Sequence, residues 1–187
     1  MLSQPSEKLR DFKVSLAPFF GGIGVAPAGE AGIPTSDLGP FGGNLDYPRL
    51  VQGTTLFLPV FHPGALLYIG DAHAAQAEGE ITGTGLETSM AVKFTVNLIK
   101  GQTLGQPRAE DTEYVMVSGI AETLDDAFAH ATSGLARWLM DTYGLSDMDV
   151  SLVLGSSVEY DIAEVVDPQR HVVAKIRKEL LRQIPRP

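Results

Sequence analysis

The chain contains 187 residues, and its 14 basic and 23 acidic side chains give a formal net charge of −9 at pH 7. This acidic balance argues against nucleic acid or an anionic membrane as a partner, because both require a basic face. The absence of cysteine excludes disulfides, thiolate metal ligands and a cysteine nucleophile. No apolar run reaches the length of a membrane span, and the polar N-terminus is unlike a signal peptide, so a cytoplasmic location is expected.

The first two thirds of the chain predict a β-rich fold. Short apolar or alternating segments are bounded by glycine and proline, as is typical of strands. The predicted strands are residues 12–16, 54–61, 65–69, 90–99 and 114–118. The alternation is clearest in 90–99, and Pro59 marks the second strand as an edge or bulged strand. A tight turn at Pro63 and Gly64 is expected to join the second and third strands as a hairpin.

Helices are predicted only later in the chain. Residues 123–140 carry apolar side chains at helical spacing, between a capping Thr123 and the stop signal Gly144. A shorter helix from 146 to 154, a strand at 160–166 and a final basic helix at 170–183 complete the predicted elements. This segregation predicts an α+β fold with a mostly antiparallel, β-rich sheet core and two to three late helices. Residues 1–17 are predicted to form an arm with a short strand, and residues 18–187 a single domain.

The segment after the predicted strand 65–69 concentrates polar groups among glycine and alanine. Asp71 and His73 lie two residues apart, so an extended chain would place both side chains on one face. Gln76, Glu78 and Glu80 continue the even spacing. Oxygen and nitrogen ligands in this arrangement favour a divalent metal site. The same composition also fits an ordinary solvated loop.

Three further polar residues fit either of two interpretations. Asn44 and Asp46 follow two glycines, where they could belong to a site or form an Asx-turn with their own backbone. His62, at the end of a predicted strand, could be structural or functional.

Four motifs in this order resemble the acetamidase/formamidase family. They are PFFGGIGVAPAGE, GGNLD, LFLPVFHPGALLYIGDAHAAQAEGE and SSVEYDIAEVVD, which together span about residues 18 to 167. The segment GDAHAAQ followed by GE is the most specific of them. The resemblance implies an oligomeric, β-rich α+β hydrolase that releases ammonia from small amides such as formamide or acetamide, or opens small lactams. It also implies a bound divalent metal, zinc or calcium.

The family motifs assign roles to individual positions. Asp71 and His73 match the family's GD-x-H motif, Glu80 matches the glutamate that closes it, and Asn44 and Asp46 match GGN-x-D. The resulting hypothesis places the metal on Asp71, His73 and Asp46. Glu80 or Glu78 acts as general base and proton carrier, and Asn44 or backbone N–H groups bind the oxyanion. Gln76 and His62 are the expected substrate-binding residues.

Two departures from the family keep other interpretations open. Ala77 and Glu78 stand where the family usually has Gly-Asp, and family chains are usually much longer, so that this sequence matches only their C-terminal part. The chain could therefore be a fragment, a natural short homologue, or half of a split enzyme whose other chain supplies the N-terminal part. It could also be a non-catalytic member that serves as an oligomerising or metal- and ligand-binding domain. A homo-oligomer with a small amide as substrate is the expected assembly.

Overall fold

The computed structural model describes residues 6–187, which form two five-stranded antiparallel sheets. Strands are numbered in chain order. The first sheet consists, in spatial order, of β2 (Leu38–Gly39), β3 (Gly42–Asn44), β1 (Phe19–Gly24), β5 (Tyr68–Ala75) and β6 (Leu86–Glu87). The second sheet consists of β4 (Thr55–Phe57), β7 (Arg108–Glu110), β8 (Tyr114–Ala121), β10 (Arg170–Arg177) and β9 (Glu159–Glu164).

The three α-helices all lie late in the chain. They are α1 (Leu124–Tyr143), α2 (Asp147–Ser157) and α3 (Lys178–Leu181), and a short 3-10 turn covers Glu7–Leu9. Helix α1 begins at Thr123, whose hydroxyl accepts the N–H of Asp126 at 3.1 Å, and it ends at Gly144 with φ of 66°. Among the residues described, no helix is long and apolar enough to cross a membrane.

The second sheet lies between helix α1 and the first sheet. Alternation along β8 sends Val115 and Val117 towards α1, where they pack with Leu135 and Leu139. Tyr114, Met116 and Ile120 point the other way and pack with side chains near the first sheet. That second core includes Leu38, Leu45, Tyr47 and Leu50. Leu45 directly precedes Asp46, so this core anchors one of the predicted site residues.

The predicted α+β class with antiparallel sheets and late helices is confirmed, as are the strands near 114–118 and 160–166 and the first two helices. The predicted helix at 170–183 is wrong. Residues 170–177 form β10, the strand between β8 and β9, and only 178–181 are helical. The apolar residues of this strand are buried in both hydrophobic cores, and this two-sided packing overrides the helical interpretation.

Other strand predictions fail at particular positions. Residues 12–16 and 90–99 form no strand. The predicted hairpin at Pro63 and Gly64 is wrong, because β4 and β5 belong to different sheets. Strand β5 begins at Tyr68 rather than 65 and continues past Gly70 to Ala75. Strand β4 is shorter than predicted but lies at a sheet edge, as Pro59 indicated. The arm of 1–17 and the single domain of 18–187 stay predictions, and residues 1–5 lie outside the described part.

Candidate metal centre

A buried histidine surrounded by carboxylates lies where the two sheets meet. We call the carboxylates around His73 the carboxylate cluster; its members are Asp46, Asp71, Glu80, Glu87, Glu164 and Asp167. Asp71 and His73 lie on β5, and the loop after β5 meets the end of β9 through a parallel bridge between Gly79 and Glu164. In this bridge the Gly79 N–H donates to the Ala163 carbonyl oxygen at 3.2 Å. The bridge therefore brings Glu80 and Glu164, far apart in sequence, to one place.

His73 is the centre of this arrangement and is only 1% exposed. Its Nε2 lies 3.2 Å from Asp71 Oδ1, 3.5 Å from Asp46 Oδ1 and 3.7 Å from Glu87 Oε1. Its Nδ1 lies 3.9 Å from Glu80 Oε1, and the ring packs against Phe19 at 5.1 Å between centroids. Both ring nitrogens thus face carboxylates without forming a hydrogen bond to any described residue.

Three groups of side chains bring ligand atoms within 4.8 Å of one another. The first is Asp46, His73 and Glu80, all buried, and the second is Asp71, His73 and Glu87. The third, Asp46 with Glu164 and Asp167, contains only oxygen ligands. Because Asp46 and His73 each belong to two groups, the cluster offers alternative ligand sets around one shared centre.

The carboxylate cluster is electrostatically strained when no cation is bound. Burial and the charges of Glu80 and Asp71 raise the pKa of Asp46 to about 9. Burial and the neighbouring carboxyl of Glu164 raise the pKa of Glu80 to about 8. Burial likewise raises the pKa values of Glu164 and Asp167. A bound cation would replace the protons that these carboxyls otherwise retain near neutral pH.

Amide side chains hold the cluster in position. Asn44 Nδ2 donates to Asp46 Oδ2 and to Asp167 Oδ2, each at 2.7 Å. Gln76 Nε2 donates to the Asp46 carbonyl oxygen at 2.8 Å. Since both amide hydrogens of Asn44 are engaged, this side chain orients two carboxylates. Gln76 supports the backbone of Asp46.

The backbone at three of the carboxylates adopts a conformation that is unusual for residues with side chains. Asp46, Asp71 and Glu80 have φ values of 40°, 56° and 43°. Such left-handed conformations cost of order 1–3 kcal/mol each and concentrate at functional sites. Glycine makes room beside them. A Cβ on Gly21 would overlap Asp46 Oδ1 and lie 2.7 Å from Asp71 Oδ2, and a Cβ on Gly85 would overlap His73 Nδ1.

A cavity of about 430 Å³ opens beside the cluster. Asn44 and Asp71 line it together with Gly22, Gly70, Thr35, Ser36 and Tyr68. The cavity is thus bounded by one member of the cluster and by the amide that orients two others, which gives a small molecule access to this side of the site.

The family model for acetamidase/formamidase matches residues 24–180. The chain belongs to the acetamidase/formamidase family. The chain is 43% identical over 61 residues to the acetamidase of Mycolicibacterium smegmatis, covering 32% of this chain and 15% of that protein. It is 36% identical over 76 residues to the formamidase of Methylophilus methylotrophus, covering 40% of this chain and 18% of that one.

Solved acetamidase structures share the fold over most of the chain. The acetamidase of Bacillus halodurans superposes with a TM-score of 0.85 at 34% identity, over 90% of this chain and 57% of its own. The acetamidase of Yersinia enterocolitica gives 0.86 at 37% identity, over 89% and 50%. The chain therefore spans about half the length of these two family members.

The family motifs predicted His73 and three of the six members of the carboxylate cluster. The structure brings Asp46, Asp71, His73 and Glu80 together, with Asn44 and Gln76 bound to Asp46. The remaining two predicted residues lie apart from any group of potential ligands among residues 6–187. Glu78 is exposed on the turn before Glu80, and His62 Nε2 lies 2.8 Å from the Pro27 carbonyl oxygen.

Three members of the cluster were missed by the sequence analysis. Glu87 follows two glycines and pairs with His73 across β5 and β6. Glu164 and Asp167 lie inside the motif SSVEYDIAEVVD, which carried the family resemblance but was given no chemical role. For Glu164 and Asp167, the signal that could have identified them was their acidic character at the end of a family motif.

Proposed function

We propose that this chain carries the metal-dependent site of an amide hydrolase that converts small linear amides, such as formamide or acetamide, to ammonia and a carboxylate. Membership of the acetamidase/formamidase family supports the reaction class. The observation that carries the proposal is the buried imidazole of His73, whose two nitrogens lie 3.2–3.9 Å from carboxylate oxygens and have no hydrogen-bond partner among the described residues. Burying polar atoms that lack hydrogen-bond partners costs free energy. A cation bound to those atoms would remove that cost.

The residues present fit a divalent metal. In addition to the nitrogens of His73, Asp46 Oδ1 and Glu164 Oε2 are buried without hydrogen-bond partners among the described residues. His73 Nε2, with Asp71 Oδ1 at 3.2 Å and Asp46 Oδ1 at 3.5 Å, offers nitrogen and oxygen ligands together, which suits zinc. The all-oxygen group of Asp46, Glu164 and Asp167 suits calcium instead. A metal held here would polarise an amide carbonyl and lower the pKa of a bound water.

Glu80 is the proposed general base. In metal-free protein burial and Glu164 raise its pKa to about 8, and the positive charge of a bound cation would lower that pKa and leave a carboxylate able to accept a proton near neutral pH. Glu80 would take a proton from the attacking water and deliver it to the leaving nitrogen. Asn44 is a positioning residue, because its hydrogen bonds fix Asp46 and Asp167. The amide would enter from the cavity beside Asn44 and Asp71.

Ammonia release from formamide and acetamide by the purified chain tests this function. Turnover is expected to disappear after metal stripping and to return with zinc or calcium. Glu80→Gln should lower kcat by at least about a hundredfold, as expected for loss of a general base, while metal binding persists. Glu78→Gln is the matched control, since Glu78 is exposed and outside the cluster. Unchanged turnover in Glu80→Gln would refute the assigned role.

A second candidate is a metal-binding domain without turnover of its own. The observation that favours it is the length of the shared region, because this chain covers only 50% and 57% of the two solved acetamidases. This candidate predicts stoichiometric metal and a higher melting temperature without ammonia release. Turnover that appears only when a second chain supplies the rest of the family fold would indicate a split enzyme.

A further inference from the structure

Asp161 is a buried carboxylate that lies outside the carboxylate cluster and joins three parts of the chain. It lies on β9, and the Tyr47 hydroxyl donates to its Oδ2 at 2.8 Å. Lys175 Nζ on β10 donates to its Oδ1, and Arg49 Nε lies 3.2 Å from its Oδ2. These partners satisfy a charge that would otherwise be costly to bury. They also bind the loop that carries Tyr47 and Arg49 to the second sheet.

The side chain of Tyr47 is buried against three strands of that sheet. Besides its bond to Asp161 on β9, its hydroxyl lies 3.6 Å from Met116 Sδ on β8. Its ring meets the edge of His171 on β10, with 6.0 Å between the centroids. Burial and the charge of Asp161 raise the pKa of Tyr47 above its usual range, so the hydroxyl keeps the proton that it donates. The position of this side chain is therefore determined by the second sheet.

Tyr47 directly follows Asp46, whose backbone has the unusual φ of 40°. Such a conformation persists only where the surrounding structure holds it in place. On the other side of Asp46, the Leu45 N–H donates to the carbonyl oxygen of Gly21 on β1 at 2.8 Å. Asp46 is thus held between one attachment to the first sheet and one to the second. Held in this way, its Oδ1 lies 3.5 Å from His73 Nε2.

We propose that Tyr47, fixed by its hydrogen bond to Asp161, is a positioning residue that holds Asp46 Oδ1 towards His73 in the metal site. The inference rests on the metal site of the proposed function. Without this hydrogen bond the Tyr47 ring can shift, and the backbone of Asp46 can relax towards an ordinary φ. Relaxation would move Oδ1 away from His73 and leave a bound metal with one ligand fewer. The two hydrophobic cores would still maintain the fold.

Tyr114 provides a matched comparison in the same hydrophobic core. It is buried like Tyr47, and its hydroxyl donates to Glu159 Oε2 at 3.1 Å, which is also a carboxylate of β9. Its neighbours in the chain, Glu113 and Val115, are not members of the carboxylate cluster. Replacing either tyrosine by phenylalanine therefore removes one hydroxyl–carboxylate hydrogen bond, but only Tyr47 adjoins a proposed metal ligand.

Calorimetric titration of the metal-stripped chain with zinc chloride tests the inference. Tyr47→Phe should raise the dissociation constant of zinc by at least about tenfold, as is usual when a group that orients a metal ligand is lost. Tyr114→Phe should bind zinc as the wild type does. Urea denaturation of the metal-free proteins should show similar losses of stability in the two variants, because each loses one hydrogen bond of the same kind. A difference confined to zinc affinity would separate positioning from a general effect on the fold.

Cobalt(II) provides a second readout, because its visible absorption depends on the number and geometry of its ligands. The spectrum of bound cobalt should change in Tyr47→Phe and stay that of the wild type in Tyr114→Phe. Unchanged zinc affinity in Tyr47→Phe would overturn the inference, as would equal losses of affinity in the two variants. A wild-type chain that binds no zinc would refute the metal site together with the inference. Zinc binding that depends on Tyr47, in a chain that releases no ammonia, would support the inference and refute the proposed activity.

Discussion

The Nδ1 atom of His171 lies 2.7 Å from the carbonyl oxygen of Leu45, the residue directly before Asp46. The other ring nitrogen lies 2.9 Å from Ser118 Oγ, and the ring is fully buried. A neutral imidazole that donates to Leu45 and accepts from the Ser118 hydroxyl satisfies all three groups. This link ties the second sheet, through β8 and β10, to the backbone that presents Asp46.

We expect this histidine to make stability depend on pH. Burial lowers the pKa of His171 to about 4, below its ordinary value of 6.5. Its neutral form therefore stabilises the fold fully above pH 6.5, and that contribution is lost as the pH falls from 6.5 to 4. The loss amounts to about 3 kcal/mol.

Urea unfolding between pH 7.5 and pH 4 measures this effect. His171→Gln should remove that part of the pH dependence. His130→Gln, at an exposed position on α1, should retain it. If both variants follow the wild-type profile, His171 is not the group responsible.

The carboxylate cluster predicts an opposite pH dependence in metal-free protein. The raised pKa of Asp46 means that its protonated form stabilises the fold, and that this contribution declines as the pH rises from about 4 to about 9. Asp46→Asn should therefore make the metal-free protein more stable at pH 8, by at least about 1 kcal/mol, while it abolishes metal-induced stabilisation. Thermal melts with and without zinc test both effects, and a variant less stable than the wild type in the metal-free state would contradict the first.

Gly21 limits the space available to Asp46 and Asp71, two of the proposed metal ligands. A Cβ at this position would overlap Asp46 Oδ1, so Gly21→Ala should displace the carboxylate and weaken zinc binding by at least about tenfold. Gly70→Ala lies on the neighbouring strand β5 with open space around its Cβ. Calorimetric titration of the metal-stripped proteins should show near wild-type affinity for this control. Equal affinities in the two variants would show that the carboxylate is not confined there.

Gly119 permits close packing between β8 and helix α1. A Cβ on it would overlap the Ala127 carbonyl oxygen and lie 2.8 Å from Ala131 Cβ, so Gly119→Ala should destabilise the fold by about 2 kcal/mol or more. Gly155→Ala in α2 has open space and should stabilise the protein by roughly 0.5–1 kcal/mol through helix propensity. Urea denaturation compares the two, and a neutral Gly119→Ala would disprove the close approach.

The sequence predicted the site residues that a local pattern or a family motif identifies. Asp71, His73 and Glu80 lie close together in the chain and share one family motif. Glu164 and Asp167 reach them through the bridge between Gly79 and Glu164 and through the hydrogen bonds of Asn44, long-range contacts that no local pattern encodes.

The errors in the predicted fold have the same origin. Residues 170–177 form a strand because two flanking strands and two cores bury them. Residues 90–99 have every local feature of a strand but no partner among the described residues. Local propensity in such segments is weaker than the influence of the surroundings.

The left-handed backbone at Asp46, Asp71 and Glu80 restricts which sequences can maintain this centre. Asparagine and aspartate tolerate that region best, whereas β-branched residues are essentially excluded from it. Random substitution at these positions therefore carries two independent penalties, one for ligand chemistry and one for chain geometry. A homologue without the proposed metal would still be selected for Asp, Asn or Gly at positions 46 and 71. The identity of the residues at positions 46 and 71 therefore says little about whether a homologue is catalytic. Glu80 is the more informative position, because its side chain is less suited to the left-handed conformation.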